Sequence, residues 1–161
     1  MTKTLSHQDL AVQLREQFGD AIIEATDAGL VVDADRLVEI ASYLQLAPGL
    51  GFDFLNSVSG VDYERYFEVV YHLTSIVHNH SMVLKVRCYD HEKPVVPSVV
   101  SLWQAADFQE REVYDLMGIS FAGHPNLERI LLWEGFPGHP LRKDFLKVDA
   151  YRFYREGYPP E

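Results

Sequence analysis

Two stretches in the C-terminal half carry side chains that could do chemistry. The first reads Glu110-Arg111-Glu112-Val113-Tyr114-Asp115-Leu116-Met117-Gly118. Wound at about 3.6 residues per turn, it puts Glu110 on one face with Ala106, Val113 and Met117, and aligns Asp107, Arg111 and Asp115 on another side. A carboxylate among apolar neighbours must be paired or protonated, so Glu110 is expected to be at least partly buried and to draw a cation from Arg129, Arg142 or Lys143. Such a group, with Glu112 as its companion, could act as a general acid or base. Neither a nucleophile nor a complete ligand set stands beside them, however, and a structural ion-pair role is the stronger reading.

The second stretch is the pair of Gly-His-Pro tripeptides at 123–125 and 138–140. His124 and His139 could reach toward a metal, but a zinc site needs three or four ligands, and Glu112 and Asp115 are better placed for ion pairs. Proline stiffens each turn, and the imidazole is expected to hydrogen-bond to backbone or to a partner surface. The single cysteine, Cys88, excludes an intrachain disulfide and the several thiolates of a cluster or structural zinc. It sits in an alternating run and reads as a small strand residue. No phosphate-binding glycine loop or dinucleotide fingerprint occurs.

The elements that must position these residues follow from periodicity. Ser6 can cap a helix whose Leu10, Leu14 and Phe18 recur every four residues until Gly19. Residues 21–26 and 30–32 read as two strands joined by a tight turn, and Asp33 caps a second helix with the stripe Leu37, Ile40, Ala41 and Leu44. Strands are expected at 52–61, 66–73 and 82–89. Two prolines make 91–97 a crossing loop, and Ser98 can start a helical region that includes 107–118. The fold class is α+β: a two-layer domain with a mixed β-sheet, helices on one face, and the order αββαβββα. From Gly118 onward glycine and proline dominate, so the α+β domain is assigned to 1–121 and an irregular C-terminal extension that docks on partner subunits to 122–161.

The composition, 47% hydrophobic and 24% charged over 161 residues, is that of a folded domain of ordinary size. A formal charge of -10 argues against nucleic acid. Without a signal-peptide core or a bilayer-length apolar run, membrane association is expected to be indirect.

The run 110–121, followed by Gly123-His124-Pro125-Asn126-Leu127-Glu128-Arg129-Ile130-Leu131-Leu132, closely resembles the signature of the 30 kDa subunit family of NADH:quinone oxidoreductase, respiratory complex I, whose members are also called its C subunits. Gly138-His139-Pro140-Leu141-Arg142-Lys143-Asp144-Phe145 resembles the same family's second block. The likeness is tight over 97–145 and loose upstream. It implies a hydrophilic subunit of the peripheral arm, on the cytoplasmic side of an energy-transducing membrane, bound to other hydrophilic subunits and chiefly to the large quinone-site subunit. It further implies that FMN, iron–sulfur clusters and quinone sit on partners and that this chain holds no cofactor. Under that resemblance Glu110, Arg111, Glu112, Asp115, His124, Arg129, His139, Arg142, Lys143, Asp144 and Phe145 are packing and docking determinants, and none is catalytic.

Two other readings stay open. Equivalent subunits occur in ferredoxin:plastoquinone oxidoreductases and membrane-bound hydrogenases, and a free-standing hydrolase or metal enzyme would use Glu110, Glu112 and His124. The closing segment, with Tyr151, Phe153, Tyr154 and Tyr158 between Arg152 and Arg155, is expected to lie extended along a partner.

Overall fold

The computed structural model describes residues 2–145. The Ser6 hydroxyl accepts the Asp9 N–H at 3.2 Å and opens α1 (His7–Phe18), which ends at Gly19 in a positive-φ conformation. β2 (Ile22–Thr26) and β3 (Gly29–Val32) form an antiparallel hairpin. The Asp33 side chain accepts the Asp35 N–H and leads through a 3-10 turn, Ala34–Arg36, into α2 (Leu37–Leu46). A three-strand meander follows: β4 (Phe54–Asp62), β5 (Phe67–Ser75) and β6 (His80–Cys88). These segments match the elements expected from periodicity to within a few residues.

The main sheet runs β2-β3-β6-β5-β4 and is mixed, because β3 pairs with β6 in parallel. Alternation along β5 and β6 sends Phe67, Val69, Tyr71 and Leu73, with Met82, Leu84 and Val86, into the core, where the apolar stripes of α1, α2 and α3 (Ala106–Met117) meet them. On the opposite face Glu68 is enclosed by Lys85 at 3.2 Å and Arg87 at 3.1 Å.

Three features depart from the expected order. β1 (Lys3–Thr4) joins β6 in parallel, a two-residue element too short to carry a periodic signal. The expected crossing loop contains β7 (Val95–Pro97), which pairs in parallel with β8 (Ser120–Ala122). The prolines permit this because the sheet has only two strands: Pro94 contributes just its carbonyl, to Ser120 N–H at 2.8 Å, and Pro97 closes the strand. Residues 98–105 form turns, and the helix begins at Ala106 without a side-chain cap, because the cap position is held by Ala105, which has no polar side chain.

α3 crosses β4 over Gly60, where a Cβ would lie 2.5 Å from Met117 Sδ and 3.0 Å from Val113 Cγ1. Gly60→Ala is expected to lower stability by about 1–3 kcal/mol through this overpacking. A urea midpoint equal to that of the parent chain would show that α3 yields freely.

Among the described residues no helix is long and apolar enough to cross a membrane. The aromatic segment expected to lie along a partner at 148–161 is outside the described residues.

Candidate functional site

α3 is the platform of the signature. Its period places Glu110, Val113 and Met117 inward, and Gly118 ends it in the left-handed conformation. The Glu110 side chain has no exposed surface. Its Oε1 accepts the Val99 N–H at 2.8 Å and its Oε2 accepts the Ser98 hydroxyl at 2.6 Å. Burial raises its pKa above the usual carboxylate range, and Asp107 adds to the rise, against the opposing pull of Ser98, Val99 and His124. Among the described residues the fully enclosed Tyr71 hydroxyl has no hydrogen-bond partner, and burial with the Glu110 carboxylate holds its pKa well above normal.

The cation expected for Glu110 is not Arg129, Arg142 or Lys143: the two guanidinium groups are engaged elsewhere and Lys143 is exposed. Arg129 donates to Asp115 Oδ1 at 3.2 Å and to the Gly138 carbonyl at 3.2 Å. Arg142 donates to the His91 carbonyl and lies over the Phe67 ring, 4.8 Å from its centroid. Lys143 offers its backbone N–H to Asp62 Oδ2 at 3.0 Å. Neutral donors from the turn at 98–99 replace the cation, a solution that depends on tertiary placement and leaves no trace in spacing.

Asp115 makes the kind of ion pair expected of it, with Arg129 at 3.2 Å. Asp107 and Arg111 remain partly exposed, but Asp115 is buried, because residues 123–145 form a strap that folds back over the end of α3. Its Oδ2 accepts three successive backbone N–H groups, from Ile130 at 3.1 Å, Leu131 at 2.8 Å and Leu132 at 2.9 Å. Burial alone would push its pKa up, but those donors and the Arg129 guanidinium hold it below the usual range.

Further bonds lace the strap to the helix. Arg111 Nε donates to the Glu128 carbonyl at 3.1 Å, and Leu141 N–H to the Leu116 carbonyl at 3.0 Å. His139 Nδ1 lies 2.9 Å from the Asp115 carbonyl, and burial lowers the pKa of this imidazole. The ring sits against Gly118, where a Cβ would meet His139 Cδ2 at 2.5 Å, so this position needs glycine for contact as well as for φ. His124 Nε2 lies 3.1 Å from the Asp107 carbonyl. Phe145 packs near Gly138 and stacks on Phe136 with centroids 6.0 Å apart. Lys143 and Asp144 line a shallow depression with Asp62, Glu64 and His91.

The geometry joins Glu110 to His124, and Asp115 to Arg129 and His139. It leaves Glu112 exposed while Glu110 and the His124 ring are enclosed, so these three do not form one accessible site. Among the described residues no three His, Cys, Asp or Glu side chains are placed to hold a metal. Sequence reasoning missed Ser98 as a ligand of Glu110. It also missed Asp62, which ends β4 and receives N–H groups from Glu64 and Lys143.

A family model described as respiratory-chain NADH dehydrogenase, 30 Kd subunit, matches residues 30–151. The chain is 44% identical over 147 residues to the NADH-quinone oxidoreductase C subunit of Roseiflexus sp. strain RS-1, covering 87% of this chain and 84% of the relative. It is 42% identical over 158 residues to the NADH-quinone oxidoreductase C subunit numbered 2 of Rhizobium etli strain CIAT 652, covering 91% and 83%. A chain of a membrane-bound sulfane sulfur reductase, described as an archaeal respiratory membrane complex, shares the fold with a TM-score of 0.71 at 24% identity, over 94% of this chain and 90% of that one.

Proposed function

Because this chain belongs to the family of the 30 kDa subunit of respiratory-chain NADH dehydrogenase, whose relatives are subunits of NADH-quinone oxidoreductase, we propose that it is a cofactor-free, non-catalytic subunit of the peripheral arm. In that role it sits beside the large quinone-site subunit, on the cytoplasmic side of the membrane, and is required for assembly and stability. FMN, iron–sulfur clusters and quinone reside on its partners, and electron transfer coupled to proton pumping is work of the whole complex.

The observation that carries this reading is the use made of the signature. Asp115 and Glu110 are consumed in holding the strap and the 98–99 turn to α3, while Phe108, Leu131, Trp133 and Leu141 stand exposed on the same helix and strap. The polar residues shape a surface, and the surface carries the apolar anchors that interfaces use.

A tagged chain recovered from solubilised membranes should bring down subunits bearing flavin and clusters. The same chain purified alone, with and without oxygen, should hold no stoichiometric iron, flavin or zinc, because one cysteine and no nucleotide motif leave nothing to bind them. Such a cofactor in the isolated chain, or turnover without partners, would overturn the proposal. Hydrogenase or ferredoxin-dependent subunits among the co-purifying chains would move it to a related complex.

A further inference from the structure

The side chain of His124 is fully enclosed, and its two ring nitrogens serve opposite purposes. Nδ1 lies 3.0 Å from the Asn126 backbone N–H and accepts from it, and Nε2 lies 3.1 Å from the Asp107 carbonyl oxygen and donates to it. Only the neutral Nε2–H tautomer satisfies both. Nε2 also lies 3.6 Å from Asp107 Oδ1 and 4.0 Å from Glu110 Oε2. Among the described residues that enclosed Oδ1 has no hydrogen-bond partner, and no lysine or arginine pairs with either carboxylate.

An imidazolium would compensate the two carboxylates, but its new Nδ1–H would point at the Asn126 N–H, donor against donor. The turn at 124–126 and the ion pair therefore require opposite protonation states. We propose that His124 is a protonation switch at the root of the strap: the neutral ring holds the 124–126 turn, and the charged ring releases it and is drawn to Asp107 and Glu110.

The neighbouring groups define the balance. From α3 come Asp107 and Glu110, which favour the charged ring. The 98–99 turn brings only the neutral donors Ser98 and Val99 to Glu110. β5 brings Tyr71, whose phenol stays neutral. Arg111 is engaged by the Glu128 carbonyl, and Arg129 by Asp115. The switch lies upstream of the stretch that Asp115 grips, so it opens the first turn while the rest of the strap stays anchored.

The test is an NMR titration of the isotope-labelled full chain from about pH 8 to about pH 5, spanning the ordinary histidine range. The ring should be the Nε2–H tautomer at the alkaline end. The Asn126 amide should shift with the midpoint of the His124 ring and lose about tenfold in intrinsic-rate-corrected protection, the size of one hydrogen bond, while the Leu132 amide keeps its protection. In His124→Asn the side-chain oxygen takes the acceptor position of Nδ1, so the turn should persist and its pH response vanish. An Nδ1–H tautomer, an Asn126 amide indifferent to the ring's titration, or the same response in His124→Asn would each overturn the switch.

Discussion

Asp115→Ala is expected to detach the strap from α3. The carboxylate is enclosed, ionised, and the acceptor for three backbone N–H groups and the Arg129 guanidinium. Removing it leaves three partly buried N–H groups and a partly exposed guanidinium without their acceptor, a loss of about 1.5–3 kcal/mol, the worth of hydrogen bonds to a charged group, against a typical domain stability of about 5–15 kcal/mol. The effect should be local first: amide exchange at 130–132 should rise to the rate of an open chain while β5 and β6 remain protected. The pH dependence has a defined sign. The folded pKa of Asp115 is depressed, so its contribution is complete above the unfolded value of about 3.9 and is lost as pH falls through the folded value. Acid should therefore loosen the strap below about pH 4 in the parent chain, and that transition should be missing in Asp115→Asn. Equal protection of the 130–132 amides in parent and alanine variant would show that the strap is held by something else.

Local periodicity explains how much of this could be read before folding. The stripes Leu10-Leu14-Phe18 and Leu37-Ile40-Ala41-Leu44, and the alternation in β5 and β6, are repeated signals that only one packing satisfies, so α1, α2 and the meander were legible. The burial of Glu110 was legible for the same reason. Its partners were not, because Ser98 and Val99 lie 12 and 11 residues away across turns, and spacing along a chain gives no distance across such a gap. Asp115 shares its helical side with the partly exposed Asp107 and Arg111, and only the strap's return path separates their fates. The three-residue β7, bounded by prolines, lay below the length at which alternation can be recognised.

The burial of Glu110, which has no lysine or arginine partner among the described residues, leads to the remaining large effect. Glu110→Ala should destabilise the chain by about 3–5 kcal/mol, since the Ser98 hydroxyl and Val99 N–H lose their acceptor and a space opens beside the core. Glu110→Gln keeps the shape and one acceptor, so its cost should be nearer to about 1–2 kcal/mol. Here the pH sign is opposite to that of Asp115. The folded pKa of Glu110 is raised, so its contribution is full below the unfolded value of about 4.3 and declines as pH rises through the folded value. Glutamine cannot ionise, and the gap between parent and Glu110→Gln should narrow with rising pH. In cells Glu110→Ala should reduce the amount of assembled complex more than the turnover of the complex that does assemble, because the lost bonds shape the 98–99 turn and the face of α3 rather than touch a reacting atom. Glu110→Gln should restore much of the assembly. Full assembly with lost turnover in either variant would instead place Glu110 among the groups that take part in the reaction.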